Sequence, residues 1–120
     1  MNSRERVLRA LEHQEPDRVP FDLGGTGATG IHKTAYRNLR DYLGFPAVEI
    51  RTEDIIQQLA VVDEDVANRL QTDCRNVSPR SSAIYNLVLR DESNYTAYTD
   101  EWNIDWRMPK KGGFYYDMQR

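Results

Sequence analysis

A single cysteine, Cys74, stands among 120 residues. No internal disulfide can form, and the chain suits a reducing compartment, with the cytoplasm as its expected location. Long apolar runs are lacking too: nothing approaches the roughly 18 residues that a membrane span requires, and mean hydropathy is -0.75. Arg4, Arg6 and Arg9 have no apolar stretch behind them, so no secretory signal is expected. Neither sign of charge prevails. The 16 basic and 19 acidic residues are interspersed to a net -3, which offers no single-sign face to nucleic acid or to anionic lipid, and neither is expected as a partner. Repeats, low-complexity tracts and linkers are also missing. One domain over 1–120 is the simplest organisation, with a change of texture near residue 82.

What the chain does have is concentrated at its start. Asn2 can cap a helix while Glu5 returns the bond in a capping box, and Val7, Leu8 and Leu11 supply an apolar face. Pro16 stops that helix. Val19 to Leu23 then reads as a strand whose Pro20 lacks an N–H, so it belongs at a sheet margin or pairs late. From Ile31 to Leu43 the positions Ile31, Ala35, Leu39, Tyr42 and Leu43 repeat at helical spacing, and Gly44 with Pro46 supplies the stop. A second helical stretch covers Glu53 to Leu70, broken near Val62, with Asp63 as a cap for Val66, Ala67 and Leu70. Thr72 to Val77 reads as a short strand. Beyond residue 82 the texture turns to β and aromatic: Trp102, Ile104 and Trp106 alternate with Asn103 and Asp105, predicting two or three antiparallel strands.

The string SRERVLRALEHQEPDRVPFDLG, residues 3 to 24, resembles the amino-terminal entry into the uroporphyrinogen decarboxylase family, which also contains cobamide-dependent methyltransferases. The resemblance implies an α/β fold: the N-terminal part of a TIM (β/α)8 barrel, with an antiparallel β segment inserted near the C-terminus of the chain. A closed barrel needs roughly 200 residues or more, so the expectation is a single partial domain, with 1–81 carrying the first strand and helix units and 82–120 the aromatic β segment. An open arc would self-associate or wait for a chain that completes it, and would be inactive alone.

By the same resemblance the function is that of a uroporphyrinogen decarboxylase-like enzyme acting on a tetrapyrrole, or of a methyltransferase passing a methyl group among a small substrate, a corrinoid and a thiol. A truncated, non-catalytic domain is the alternative. Decarboxylases of the family bind the substrate's acidic side chains with two arginines after the first strand, and a guanidinium suits carboxylates by its fixed charge and planar fork. Gly24 and Ala28 occupy those places here, so the clamp is absent and methyl transfer gains ground. Asp73 falls where the family has a catalytic aspartate at the end of the second strand; a turn residue is the competing reading. No cofactor is expected within the chain itself, although zinc and a corrinoid would serve a full-length methyltransferase.

Gly25-Thr26-Gly27-Ala28-Thr29-Gly30 matches G-x-G-x-x-G, with Glu49 about 20 residues on. The flanking strands are short and polar where a dinucleotide fold needs buried apolar ones. The loop therefore reads as a ligand-facing strand-to-helix connection, with Asp22, Gly24, Gly25, Thr26 and His32 as candidate substrate-binding residues. Asp22 can equally serve the turn, and His32, in the first turn of a helix, reads more readily as an exposed surface histidine. His13 reads as a partner for the helix dipole, the aromatic stripe as core, and Cys74 has no second ligand to suggest a metal.

Overall fold

A computed structural model describes residues 1–80 and 82–119. The chain divides into two units: Met1–Glu53 with Leu59–Val77, and Asp54–Gln58 with Ser78–Arg120.

The first unit opens as its sequence dictates. The Asn2 side chain accepts from the Glu5 N–H at 2.9 Å and the Glu5 carboxylate accepts from the Asn2 N–H at 3.0 Å, closing the capping box of α1 (Ser3–Leu11). Pro16 lies beyond the true stop. His13 takes a left-handed φ of 57° while its N–H reaches the Ala10 carbonyl and the Gln14 N–H reaches the Arg9 carbonyl, so the helix ends at Leu11, five residues before Pro16. The buried residue of α1 is Arg6, whereas Leu8 and Leu11 are exposed. The apolar face expected there is not what the helix buries.

Helix α2 (Lys33–Tyr42) lies within the expected stretch, with His32 at its N-cap. Its inward face is rotated from the anticipated one: Tyr36 is wholly buried, while Tyr42 is 88 % exposed. Tyr36, Ile50, Ala60 and Val66 form the core, with Ile31, Leu39, Leu43, Phe45, Val62 and Leu70 packed around them. The helix expected from Glu53 is replaced by a two-stranded antiparallel sheet of β1 (Thr52–Asp54) and β2 (Leu59–Ala60). Asp54 accepts from the Gln57 N–H at 3.0 Å and Gln58 takes a φ of 56°, a turn that interrupts any helix. Only after Asp63 does α3 (Glu64–Arg69) begin.

The second unit carries a four-stranded antiparallel meander, β3 (Arg90–Asp91), β4 (Tyr95–Thr99), β5 (Asp105–Pro109) and β6 (Asp117–Met118), in that spatial order. Tyr98 pairs with Trp106, and Trp106 with Met118. The Tyr98 and Trp106 rings stack at 6.3 Å, and Tyr116 meets Tyr98 edge-on at 5.0 Å. Burial pushes the Tyr98 hydroxyl up to about 12. Trp102 to Ile104 is a turn, not the start of the strand. Asp100 accepts from the Trp102 and Ile104 N–H groups and Asn103 takes a φ of 65°.

The expected barrel opening is therefore wrong. The fold is a small α+β arrangement with one two-stranded and one four-stranded antiparallel sheet. A barrel requires parallel neighbours, and the two segments meant to provide them, Val19–Leu23 and Thr72–Val77, form no strand. Pro20 has no donor, and the backbone bond between them runs from the Asp73 N–H to the Phe21 carbonyl, 2.7 Å. Among the described residues no helix is long and apolar enough to cross a membrane.

Candidate functional site

Asp73 is the point on which the amino-terminal string converges. Its side chain has no solvent exposure. From α1, Arg6 donates Nη1 to Oδ1 at 2.5 Å; from the loop after it, Arg18 donates Nη1 to Oδ2 at 2.7 Å and Nη2 to Oδ1 at 3.2 Å. The Phe21 N–H adds a bond to Oδ2 at 2.9 Å. Arg6 turns the rest of its fork on Asp17, Nε to Oδ1 at 2.7 Å and Nη2 to Oδ2 at 2.9 Å. Arg18 also reaches the carbonyls of Val19 and Gln71, at 3.1 and 2.9 Å. The α1 capping box fixes Arg6, and the left-handed Gln71 that ends α3 turns the chain just before Asp73.

Burial by itself would raise the Asp73 carboxyl. The Phe21 N–H, the Ser3 hydroxyl and the Arg6 and Arg18 guanidiniums outweigh it and hold the group far below the usual carboxylate range. Such a carboxylate neither takes nor gives a proton near neutrality, and its charge is already matched by two guanidiniums. The arrangement positions backbone, and offers no free charge to a reacting atom.

Beside this network lies a polar cleft of about 460 Å³ bordered by Arg6, Arg18 and Arg75 together with Ser3, Asn68 and Thr72. Its cations are committed within the protein: Arg75 pairs with Glu64 through Nε and Nη2, at 2.9 and 3.0 Å, and donates to the Thr72 hydroxyl at 2.8 Å.

The other candidates serve their own loop. Asp22 accepts from the Gly25 N–H and the Thr29 hydroxyl, both at 2.9 Å. The N–H groups of Gly24 and Thr26 go to the Thr29 carbonyl and hydroxyl, at 2.8 and 3.1 Å, around a 3-10 turn at Gly27–Thr29. Those donors therefore do not face outward as a phosphate cradle needs, and a carboxylate sits among them. Gly24 is required where it stands, since its φ is +77° and an added Cβ would lie 2.6 Å from a Val62 methyl. His32 acts as a cap, its Nδ1 accepting from the Thr34 N–H at 3.2 Å, and pairs across to Leu59. Asp22 and Asp73 are both close enough to Cys74 to raise its thiol, after burial as the larger cause. They thus share a neighbourhood while binding different partners. Among the described residues no group of three or more His, Cys, Asp and Glu side chains is placed to hold a metal ion.

Sequence reasoning missed Arg6, Asp17 and Arg18 as a unit. It also missed a second network, in which the buried Arg40 donates Nη1 to Asp63 and Asp65, both at 3.0 Å, and Tyr36 donates its hydroxyl to Asp63 at 3.0 Å. The available signal was Tyr36 and Arg40 one helical turn apart, with Asp63-x-Asp65 to receive them. Comparison with protein-family models, with curated proteins and with solved structures returned no match for this chain.

Proposed function

We propose that the chain is part of a uroporphyrinogen decarboxylase-like enzyme acting on a small molecule, with Met1–Glu53 and Leu59–Val77 as its ion-paired positioning unit. One observation supports this reading above others. Arg6 and Arg18, both inside the string that carries the resemblance, meet at Asp73, and Asp17 of the same string holds the rest of the Arg6 fork. A chance likeness in sequence gives no reason for its charged positions to form one network. Asp73 then acts as a positioning residue and not as the catalytic carboxylate.

Methyl transfer is favoured over tetrapyrrole decarboxylation by the loop at Gly24 to Gly30. It bears no cation, and Gly24 is packed against Val62, leaving no place for the guanidinium that a polycarboxylate substrate demands. The test is to assay the protein made from the complete reading frame in two ways: methyl transfer to a thiol in the presence of a corrinoid, and release of carbon dioxide from uroporphyrinogen. Methyl transfer without decarboxylation is the expected result. Decarboxylation alone would reverse the preference, and a folded protein inactive in both would overturn the reading.

A further inference from the structure

The β3–β4 hairpin closes with the Glu92 N–H on the Tyr95 carbonyl and the Tyr95 N–H on the Glu92 carbonyl, at 2.9 and 3.3 Å. Glu92 and Arg90 therefore turn their backbone groups toward β4, while Asp91 and Leu89 turn theirs outward, because an antiparallel ladder alternates in this way. Continuing the register would set Val88 against Thr99, but the Tyr85 hydroxyl already holds the Thr99 carbonyl at 2.7 Å. So β3 stops at Arg90, and Asn86 to Leu89 make no backbone hydrogen bond among the described residues. The apolar side chains there lie in water, Leu87, Val88 and Leu89 being 43, 60 and 54 % exposed. An unpaired backbone with aliphatic side chains beside a short edge strand is a template for one more strand.

The sequence of the edge says which strand fits it. Leu87-Val88-Leu89 reads the same in both directions. A second copy laid antiparallel, with the two-fold axis at Val88, sets Leu89 against the partner's Leu87 and Val88 against the partner's Val88. The outward-turned groups of Leu89 then exchange both N–H···O=C bonds with their opposite number. Beyond the apolar stretch, Arg90 faces the partner's Asn86 and Asp91 faces the partner's Tyr85, so charge meets polar groups only. Other registers are worse. Sliding by one residue opposes outward-turned to inward-turned groups. Sliding by two sets Asp91 against the partner's Leu87 in one direction and Val88 against the partner's Asn86 in the other, and sliding by four sets Arg90 against itself.

We propose that the chain forms a homodimer through its β3 edge, antiparallel about Val88, which joins two four-stranded sheets into one. A single strand pair of this length covers less than the roughly 1,200 Å² at which stable interfaces begin, so the dimer is weak and depends on concentration. It uses only the second unit and stands independently of the enzyme reading above.

Sedimentation of the full chain from micromolar to millimolar concentration tests it. The mass should rise from the 14.0 kDa of one chain toward twice that value. Val88→Lys, at an exposed position, should keep the circular dichroism of the parent and weaken association about tenfold by setting like charges face to face. Cross-linking in a Cys74→Ser background reads the register. Directly opposed Cα atoms lie about 4.5–5.5 Å apart, within disulfide reach. Val88→Cys should therefore oxidise to a dimer, as should Leu87→Cys mixed with Leu89→Cys, whereas Leu89→Cys alone should not. A chain that stays monomeric at millimolar concentration leaves the edge to a different protein and overturns the proposal. Growth past two copies, which assigns the edge to β6 of the next chain, overturns it as well, and so does undiminished association in Val88→Lys or cross-linking of Leu89→Cys as fast as that of Val88→Cys.

Discussion

The Asp17 carboxyl is 42 % exposed, yet the Arg6 guanidinium holds it down to about 2. Asp73, fully buried against Arg6 and Arg18, is depressed further. Both groups ionise more readily in the folded protein than in the unfolded chain, where aspartate titrates near 3.9. Their contribution is therefore complete above the unfolded value and is lost as pH falls through the folded values. Urea unfolding of the chain between pH 7 and pH 2 should show a plateau down to about pH 5 and a steady loss below about pH 4. Stability that holds level or rises from pH 4 to pH 2 would mean that these pairs do not form. The same logic separates what the sequence disclosed about Asp73 from what it concealed. The sequence singled it out through a separate likeness, that of Gln71-Thr72-Asp73 to the end of the family's second strand. Its role was not legible, because that depends on Arg6 and Arg18, which lie 67 and 55 positions away in sequence.

The helices share one device at the level of the element. Each closes with paired backbone bonds around a left-handed residue: His13 after α1, Gly44 after α2 and Gln71 after α3. Gly44 announced its stop because glycine adopts that conformation without strain, whereas His13 and Gln71 do so against the crowding of a Cβ. This explains which helix ends were readable. The stop at Gly44 was, and the break at Gln58, another non-glycine at positive φ, was not, so β1 and β2 passed for helix. Gln71 is exposed and supplies only its carbonyl to Arg18. Gln71→Gly should therefore stabilise the first unit by about 0.5–1 kcal/mol in urea unfolding, the left-handed strain relieved less the entropy of glycine. A loss of stability would show that the glutamine side chain makes a contact that matters. The aromatic alternation from Trp102 pointed to antiparallel strands, but the sheet has four where two or three were expected, and Asp100, by gathering the Trp102 and Ile104 N–H groups and the Trp106 indole, moved the strand three residues on.

For the molecule as a whole, hydrophobic periodicity identified α2 and the β-rich second unit, since both bury apolar side chains in regular order. It failed for α1, the Pro16–Phe21 segment and residues 71–73, because much of what they bury is ionic, and charge pairing leaves no periodic trace. The central claim is that Asp73 closes this unit as a structural ion-pair hub. The most direct measurement is amide hydrogen exchange on Asp73→Asn, read at Val66 and Ala67 in the first unit, with Tyr98 and Trp106 of the second as internal reference. Asparagine keeps the shape but removes the charge, and leaves Arg18 without its ionic partner. Breaking a buried pair in this way costs about 3–5 kcal/mol, so protection at Val66 and Ala67 should fall by two orders of magnitude or more, well beyond any change at the reference amides. Protection at those two residues within a few fold of the parent chain would contradict the account.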